Sequence, residues 1–506
     1  MADVTWWVGR LAAVWIASNT PVMAQLSVQS SSTMASQTAG SLSLLRAITT
    51  SLKKNPDIQI SETLVTFNQG ALQAAGGAFD PLVSANTNVT ETNRKLRETN
   101  SSINIQQQLR SGFVLGSTLS VQSRNMFDTP PPGSVATLGL SIGFPVLRGR
   151  GTYLTSASEN VAKLVLKKSE YDMRHAASVA IYSTAVAYWN LRAAQETLLA
   201  QRESEMRAQR LVGDIERLIK AGERPAADIN LINGNLASKR VTRLAAEQDL
   251  INARLALSEK IGLDYIDFNA TLNAGEEFPQ YVGDVRLIEN NAILVARATE
   301  NRFDLKSYRT NLEALRIAVD SARDDLKPLL GVTIGANYAG NTTGENPLLV
   351  FGRRTGDPQL TATLNYTWDI VNNKSKGNYL SRSATYDQQI VVIRSLQASI
   401  GVGVENAVAF YNRSVQQLAE TQSTVELYTK IVENEKKKLQ IGSATLLDLV
   451  NVESQRQDVL LNHINQRAAY ALSIAALRFQ VGELIKDGPE TPVLSPESLM
   501  FYDPNR

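Results

Sequence analysis

The chain has 506 residues, and its 51 basic and 49 acidic side chains leave a net charge of only +2, which gives no electrostatic reason to expect a nucleic-acid partner. The absence of cysteine excludes disulfide scaffolds, thiolate metal sites, cysteine nucleophiles and cysteine-anchored lipoproteins. With two histidines and no phosphate-binding loop or nucleophile motif, the sequence predicts neither an enzyme nor a cofactor or metal site.

The N-terminus has the pattern of an export signal. A short apolar run at 11–18 is followed by Pro21 and by small residues that end at Ala24. This pattern predicts a signal peptide at 1–24, followed by a flexible Ser/Thr/Gln-rich lead-in at 25–41. The alternative is the disordered start of a cytosolic protein.

Two long stretches rich in Ala, Leu, Glu, Arg and Gln contain no proline, which predicts long helices. Each would run ~100 Å at ~1.5 Å per residue, and each ends at a short glycine turn before a return helix. The predicted pairs are 152–220 with 226–261, and 377–440 with 446–481. Their apolar spacing is typical of tightly packed antiparallel hairpins.

The segments 82–146 and 329–371 alternate apolar and polar residues with a period of two. This period predicts strands with one wet face, as in membrane barrels, although a soluble β-sandwich has the same pattern. If the flanking helices lie on one side of a membrane, each block must cross it an even number of times. A turn at 110–112 then gives four strands in the first block, and the second block gives two.

Marker residues recur at constant offsets, which predicts an internal duplication. Asp57-Ile58 matches Asp304-Leu305 at 247 positions, and Gly222 and Asp228 match Gly442 and Asp448 at 220. The sequence therefore predicts repeat one at 42–270, with its hairpin at 152–262. Repeat two would cover 271–506, with its hairpin at 377–482 and a C-terminal equatorial segment at 483–506.

Three segments resemble the TolC-like outer membrane efflux protein family: 55–58 the opening of its first helix, 140–149 its strand-to-helix junction and 439–449 its hairpin tip. The resemblance implies an α+β membrane protein, a homotrimer whose outer-membrane β-barrel continues into a long α-helical coiled-coil barrel in the periplasm. It also implies contact with outer membrane lipid, a periplasmic adaptor protein and an inner-membrane pump.

The resemblance also implies the residues of a pore gate. Asp448 aligns with an acidic position whose three copies line the family's periplasmic entrance, and Asp228 is its counterpart in repeat one. The family's best-known members carry a second acid where this chain has Asn451. Since an acid in the first turn of a helix also stabilises the helix dipole, a purely structural role stays open for both aspartates.

The hairpin tips match the region that meets adaptor proteins in the family. The corresponding residues are Ala221, Gly222, Ile441, Gly442 and Ser443. Glycine is also what any helical hairpin needs at its turn, so turn and contact are compatible roles.

The resulting functional hypothesis is a passive outer membrane exit duct for small toxic compounds or secreted proteins, energised by a partner pump. The alternative is a non-channel coiled-coil scaffold in the periplasm or inside the cell. A scaffold has no need for six alternating segments and would stay soluble without detergent.

Overall fold

The structure is a computed structural model that describes residues 41–92, 96–126, 129–263, 272–280, 290–343, 346–353 and 356–485. The predicted signal peptide and the lead-in before Ser41 lie outside these residues. So do the predicted boundary between the repeats at 270/271 and the C-terminal segment beyond Ile485. These assignments stay predictions.

The first half of the chain forms helices, then four strands, then a long helical hairpin. A 3₁₀ turn at Gly77–Phe79 joins the leading helices to the strands. The elements are β1 (Ser41–Leu42), α1 (Leu44–Lys54), α2 (Pro56–Gly76), β2 (Leu82–Thr92), β3 (Leu96–Gln108), β4 (Val114–Met126), β5 (Thr129–Pro145), α3 (Thr152–Thr155), α4 (Ala157–Lys220) and α5 (Asp228–Ile261).

The second half repeats this order with two long strands instead of four. Its elements are β6 (Asn273–Ala274), α6 (Asn291–Asn301), α7 (Phe303–Asp324), β7 (Leu329–Thr343), α8 (Leu349–Arg353), β8 (Asp357–Thr367), α9 (Asn373–Gln440) and α10 (Leu446–Val481).

The leading helix of each repeat is broken into two, α1 and α2 in the first repeat and α6 and α7 in the second. Asn55 is extended and caps α2 with its side chain, and Pro56 fits the first helical position because it has no N–H to leave unbonded. In the second repeat Arg302 is extended at the same place without a proline. Its guanidinium bonds the Asp304 carboxylate (2.7 Å) and the Gln480 amide oxygen (2.8 Å).

Helix α4 has 64 residues and runs through both layers of the helical part. The first layer, next to the sheet, contains α2 and α7, and the second contains the return helices α5 and α10. Its first half packs against α2 and α7, where the Ser307 hydroxyl of α7 donates to the Asp172 carboxylate of α4. Its second half packs against α5 and α10, where Arg202 pairs with Glu247. In this second layer the helices lie side by side in the order α5, α4, α10, α9.

The apolar core lies where the two layers meet. Tyr188, Trp189 and Leu191 of α4 are fully buried there against α1, α5 and the segment around Phe278. The second repeat buries Tyr411 of α9 against Tyr470 of α10 and against α6. These two buried clusters hold α4 against α5 and α9 against α10 where the long hairpins begin.

The six long strands form one antiparallel sheet in the order β2-β3-β4-β5-β7-β8. A turn at 109–113 separates β3 from β4, with Gly112 at φ 95°, so the first block has four strands as the parity argument predicts. The sheet is open, and β2 and β8 are its edges.

Candidate functional site

The first hairpin turn joins α4 to α5. Gly222 has φ 77°, a conformation that glycine adopts without strain. The Gly222 N–H donates to the Ile219 carbonyl and the Glu223 N–H to the Leu218 carbonyl, which satisfies the end of α4. Helix α5 then starts without a side-chain cap, and Ala227 at the capping position has helical φ and ψ instead of the extended conformation of a cap.

The second hairpin turn ends α9 in the same way, with Gly442 at φ 78°. Helix α10, however, begins with a capping box. The Thr445 hydroxyl accepts from the Asp448 N–H (3.2 Å), and Asp448 Oδ2 accepts from the Thr445 N–H (2.9 Å) and hydroxyl (2.6 Å). These bonds from Thr445 lower the pKa of the Asp448 carboxyl.

The structure brings the two turns together. Ile215 of α4, Ile232 of α5 and Leu446 of α10 form one small buried core beneath both turns. Asp448 and Asn451 are exposed and lie three residues apart, so they share a face of α10. Asp228 is half-buried, with its carboxylate 4.0 Å from the Arg224 guanidinium.

The predicted contact residues of the tips are all exposed: Ala221, Gly222, Ile441, Gly442 and Ser443. Ile441 stands out because its apolar side chain is 79% exposed, and Leu447 nearby is 51% exposed. Two exposed aliphatic side chains at one turn form an apolar surface at the end of the hairpins.

An ionic cluster that no sequence pattern predicts joins the two hairpins above the turns. The Glu453 carboxylate of α10 forms ion pairs with Lys436 of α9 (2.9 Å), Arg456 of α10 (3.4 Å) and Arg207 of α4 (3.6 Å). Arg207 also donates to the Gln457 amide oxygen (3.1 Å). Burial, with Arg456 nearby, lowers the pKa of Arg207. Since Arg207 and Gln457 are 250 residues apart, no local pattern could have revealed the contact.

The sheet has one apolar and one polar face. On the apolar face Leu140, Leu360 and Leu364 are 60%, 81% and 67% exposed. Tyr366 and Trp368 are also exposed at the end of β8 nearest the helices. Exposed aliphatic side chains with aromatic residues at the boundary are typical of a lipid-facing surface.

The polar face is concave and lines a cavity of about 830 Å³ that extends to the helices. Gln106, Thr118, Ser141 and Asn365 are among its lining residues. The charged side chains described on the six long strands lie at the ends farthest from the helices, where Glu98 and Arg124 pair at 2.7 Å. The middle of this face is therefore uncharged.

Neither a membrane-spanning helix nor a metal-binding cluster is found in the described part of the chain. No helix there is both long and apolar enough to cross a membrane. Within the same residues, no three His, Asp or Glu side chains are grouped to hold a metal ion.

The sequence is similar to known outer membrane proteins. A model of the family "Outer membrane efflux protein" matches residues 294–483. The outer membrane protein TolC of Vibrio cholerae is 22% identical over 323 residues, which is 63% of this chain and 71% of that protein.

Solved channel structures share the fold. The CmeC outer membrane channel of Campylobacter jejuni superposes with a TM-score of 0.65 over 87% of this chain and 85% of its own, at 18% identity. The outer membrane protein VceC of Vibrio cholerae gives 0.64 over 87% and 96%, at 16% identity. These likenesses confirm the fold class that the sequence predicts.

Proposed function

The chain carries the family signature and the fold of the TolC-like outer membrane efflux proteins, and from this premise we propose that it is the passive exit duct of an export system. These proteins are channels, not enzymes. They lie in the outer membrane with their helical barrel in the periplasm, so the sheet belongs to the membrane and the helices to the periplasm. The exposed apolar face of the sheet is the observation that carries the proposal.

A homotrimer is the proposed assembly, and the outer helices support it. On α2, Ile60, Leu64 and Phe67 are exposed at a spacing of one helix face. On the opposite flank α9 exposes Val391 and Val402. Two apolar stripes on opposite flanks of one chain fit a closed ring in which each copy covers its neighbour.

A coiled-coil scaffold, the alternative, does not account for the sheet. A soluble scaffold would cover Leu360 and Leu364 with its own residues, since large exposed apolar patches mark an interaction surface. Both side chains instead lie exposed on the face of the sheet opposite the polar cavity.

The test is imaging of the detergent-extracted protein by negative stain. The duct requires a threefold tube with a detergent belt at one end. Its helical part should be ~96 Å long, because α4 has 64 residues at ~1.5 Å each. A compact particle that stays soluble without detergent would overturn the proposal and favour the scaffold.

At the tips, we propose that Asp448 lines the periplasmic entrance together with Asp228 and Asn451. Asp448 is exposed, and the bonds from Thr445 keep its carboxylate ionised. Three copies around an axis would concentrate cations and attract a blocking multivalent cation. The Glu453 cluster would make the two hairpins of each copy move together when the entrance opens.

The selectivity of single channels in planar bilayers tests this gate. Asp448→Ala should reduce the preference for cations and relieve block by multivalent cations, and Asp228→Ala should have a smaller effect. Asp249→Ala, at an exposed position on α5 far from the turn, is the matched control. Unchanged selectivity in the Asp448 variant would leave this residue with only its capping role.

We also propose that the tips bind a periplasmic adaptor, which links the duct to an energised inner-membrane pump. The exposed Ile441, beside Gly442 and Ser443, supplies an apolar surface suited to a protein partner. On the first turn, Ala221 and Gly222 leave room for close approach, since neither carries a long side chain.

A further inference from the structure

The open sheet edges allow the closed barrel to be worked out, and this inference rests on the proposed trimer. We propose that three copies close an eighteen-stranded barrel in which β8 of one copy pairs along its full length with β2 of the next. The occupant of each edge is thus a second copy of this chain. The number of strands, the pairing and the width of the lumen all follow from six paired strands in each copy.

The directions of the two edges are compatible. The sheet has six strands, and each strand is antiparallel to its neighbours. The first and last strands therefore run in opposite directions, so β2 of the next copy meets β8 in the antiparallel sense. Each edge strand has 11 residues. Full overlap places Leu82 beside Thr367 and Thr92 beside Asp357.

This register keeps both faces of the sheet continuous across the junction. It pairs Ala85 with Leu364 on the apolar face and Asn86 with Thr363 on the polar face. A shift by one residue would turn one strand's apolar side chains towards the lumen. The full overlap is thus the register that matches both length and face.

The tilt that this closure requires provides an independent check. One row of paired residues crosses the sheet from Leu82 to Thr361, through Gln106, Gly116, Ser141 and Gly335. Full overlap puts Leu82 of the next copy beside Thr367, which is six residues beyond Thr361. Six residues of ~3.3 Å across six strands of ~4.7 Å give a strand tilt of ~35°. Closed barrels have tilts of 35–45° by the general rule, so the closure needs no distortion.

The lumen is correspondingly wide. Eighteen strands at this tilt enclose a backbone cylinder ~33 Å across, against ~22 Å for twelve strands. The inner face carries small and uncharged polar residues such as Gly116, Ser141 and Thr361. Such a barrel admits large hydrated cargo, and its membrane part discriminates little by charge.

Cysteine cross-linking tests the register, and the natural chain has no cysteine to interfere. Asn86→Cys with Thr363→Cys should form disulfide-linked trimers in oxidised membranes, because each pair spans two copies. The matched control is Asn86→Cys with Asp357→Cys, which lie in one row of the sheet and would meet only in a closure without stagger. Trimers from the control pair instead would overturn the register.

The strand number has its own readout, distinct from that of the proposed function. Cryo-electron microscopy of the trimer should show eighteen strands, and polymers too large for a 22 Å pore should still reduce the single-channel conductance. A threefold tube with twelve strands would overturn this inference and leave the duct intact. Particles without threefold symmetry would overturn both.

Discussion

Helices α5 and α10 hold equivalent places in the two repeats, and they end alike. Gly262 and Gly482 both follow the last helical residue in the left-handed conformation, at φ 74° and 79°. Each lies against the break in a leading helix, Gly262 against Lys54 and Gly482 against Arg302. Their starts differ, since α10 has a Thr445–Asp448 capping box and α5 has none.

This difference shows which parts of the duplicated unit are constrained by packing. In both repeats the glycine that ends the return helix is enclosed by the backbone of the leading helices. A larger residue at Gly262 or Gly482 would therefore have to displace a neighbour. The turns are exposed at the tips, where a helix can start with or without a cap. The capping difference between the repeats therefore lies at the end proposed to meet partners.

Substitution of the enclosed glycine should have the largest effect. A Cβ on Gly262 would lie 2.4 Å from the Lys54 carbonyl oxygen. Together with the left-handed backbone, Gly262→Ala should cost about 2–4 kcal/mol of stability. Gly442→Ala has the same backbone conformation and nothing within 4 Å of its Cβ, so it is the control at about 1 kcal/mol.

Thermal unfolding in detergent, followed by far-ultraviolet circular dichroism, ranks these variants. Gly482→Ala should fall between the two, because its Cβ would lie 3.1 Å from the Arg302 nitrogen. Equal losses for Gly262→Ala and Gly442→Ala would show that the enclosed packing at Lys54 contributes nothing.

Removal of the cap should have a moderate effect that is confined to one turn. Thr445→Ala loses the hydroxyl that accepts from the Asp448 N–H, which should cost about 1 kcal/mol. Hydrogen exchange should accelerate at 441–450 and stay unchanged at 221–230. The reverse change, Ala227→Thr, should give no gain, because Ala227 has helical φ and ψ instead of the extended conformation of a cap. Slower exchange at 221–230 in that variant would contradict this explanation.

Lowering the pH should have the smallest effect, a loss of amide protection at the second turn when Asp448 is protonated. Bonds from Thr445 lower the pKa of Asp448, so the ionised carboxylate stabilises the second turn above the ordinary aspartate pKa of ~3.9. This contribution is lost as the pH falls from there through the lowered pKa of the folded protein. Protection of the 441–450 amides, corrected for intrinsic exchange, should fall in that range.

Asp448→Asn is the control for the acid effect, because its amide does not titrate. The variant should lose the pH dependence of protection at this turn. If the wild-type turn kept its full protection down to pH 2, the carboxylate would contribute nothing to the cap.

The sequence predicted the regular parts of the fold because their signals are local. Strand alternation predicts the six strands, and an even number of membrane crossings predicts the turn at Gly112. The helix breaks were missed, although Asn55-Pro56 is a typical helix start. No proline marks Arg302, whose guanidinium bonds the neighbouring Asp304 carboxylate and, as a tertiary contact, the Gln480 amide oxygen of α10.

The candidate site was only partly predictable for the same reason. Glycine and a first-turn acid mark both turns, but the sequence cannot distinguish a cap from a pore residue. The Glu453 cluster depends on the packing of α10 against α4, which brings distant positions together. Its partners on α10, Arg456 and Gln457, follow Glu453 at helical spacing, yet this spacing alone also fits a solvated helix face.

The open sheet also determines the order of biogenesis. A lone copy presents the unpaired N–H and C=O groups of β2 and β8, which water can satisfy and hydrocarbon cannot. In the proposed trimer, the subunits must therefore meet before or during insertion into the bilayer. The rate of insertion should then rise more steeply than the first power of the subunit concentration.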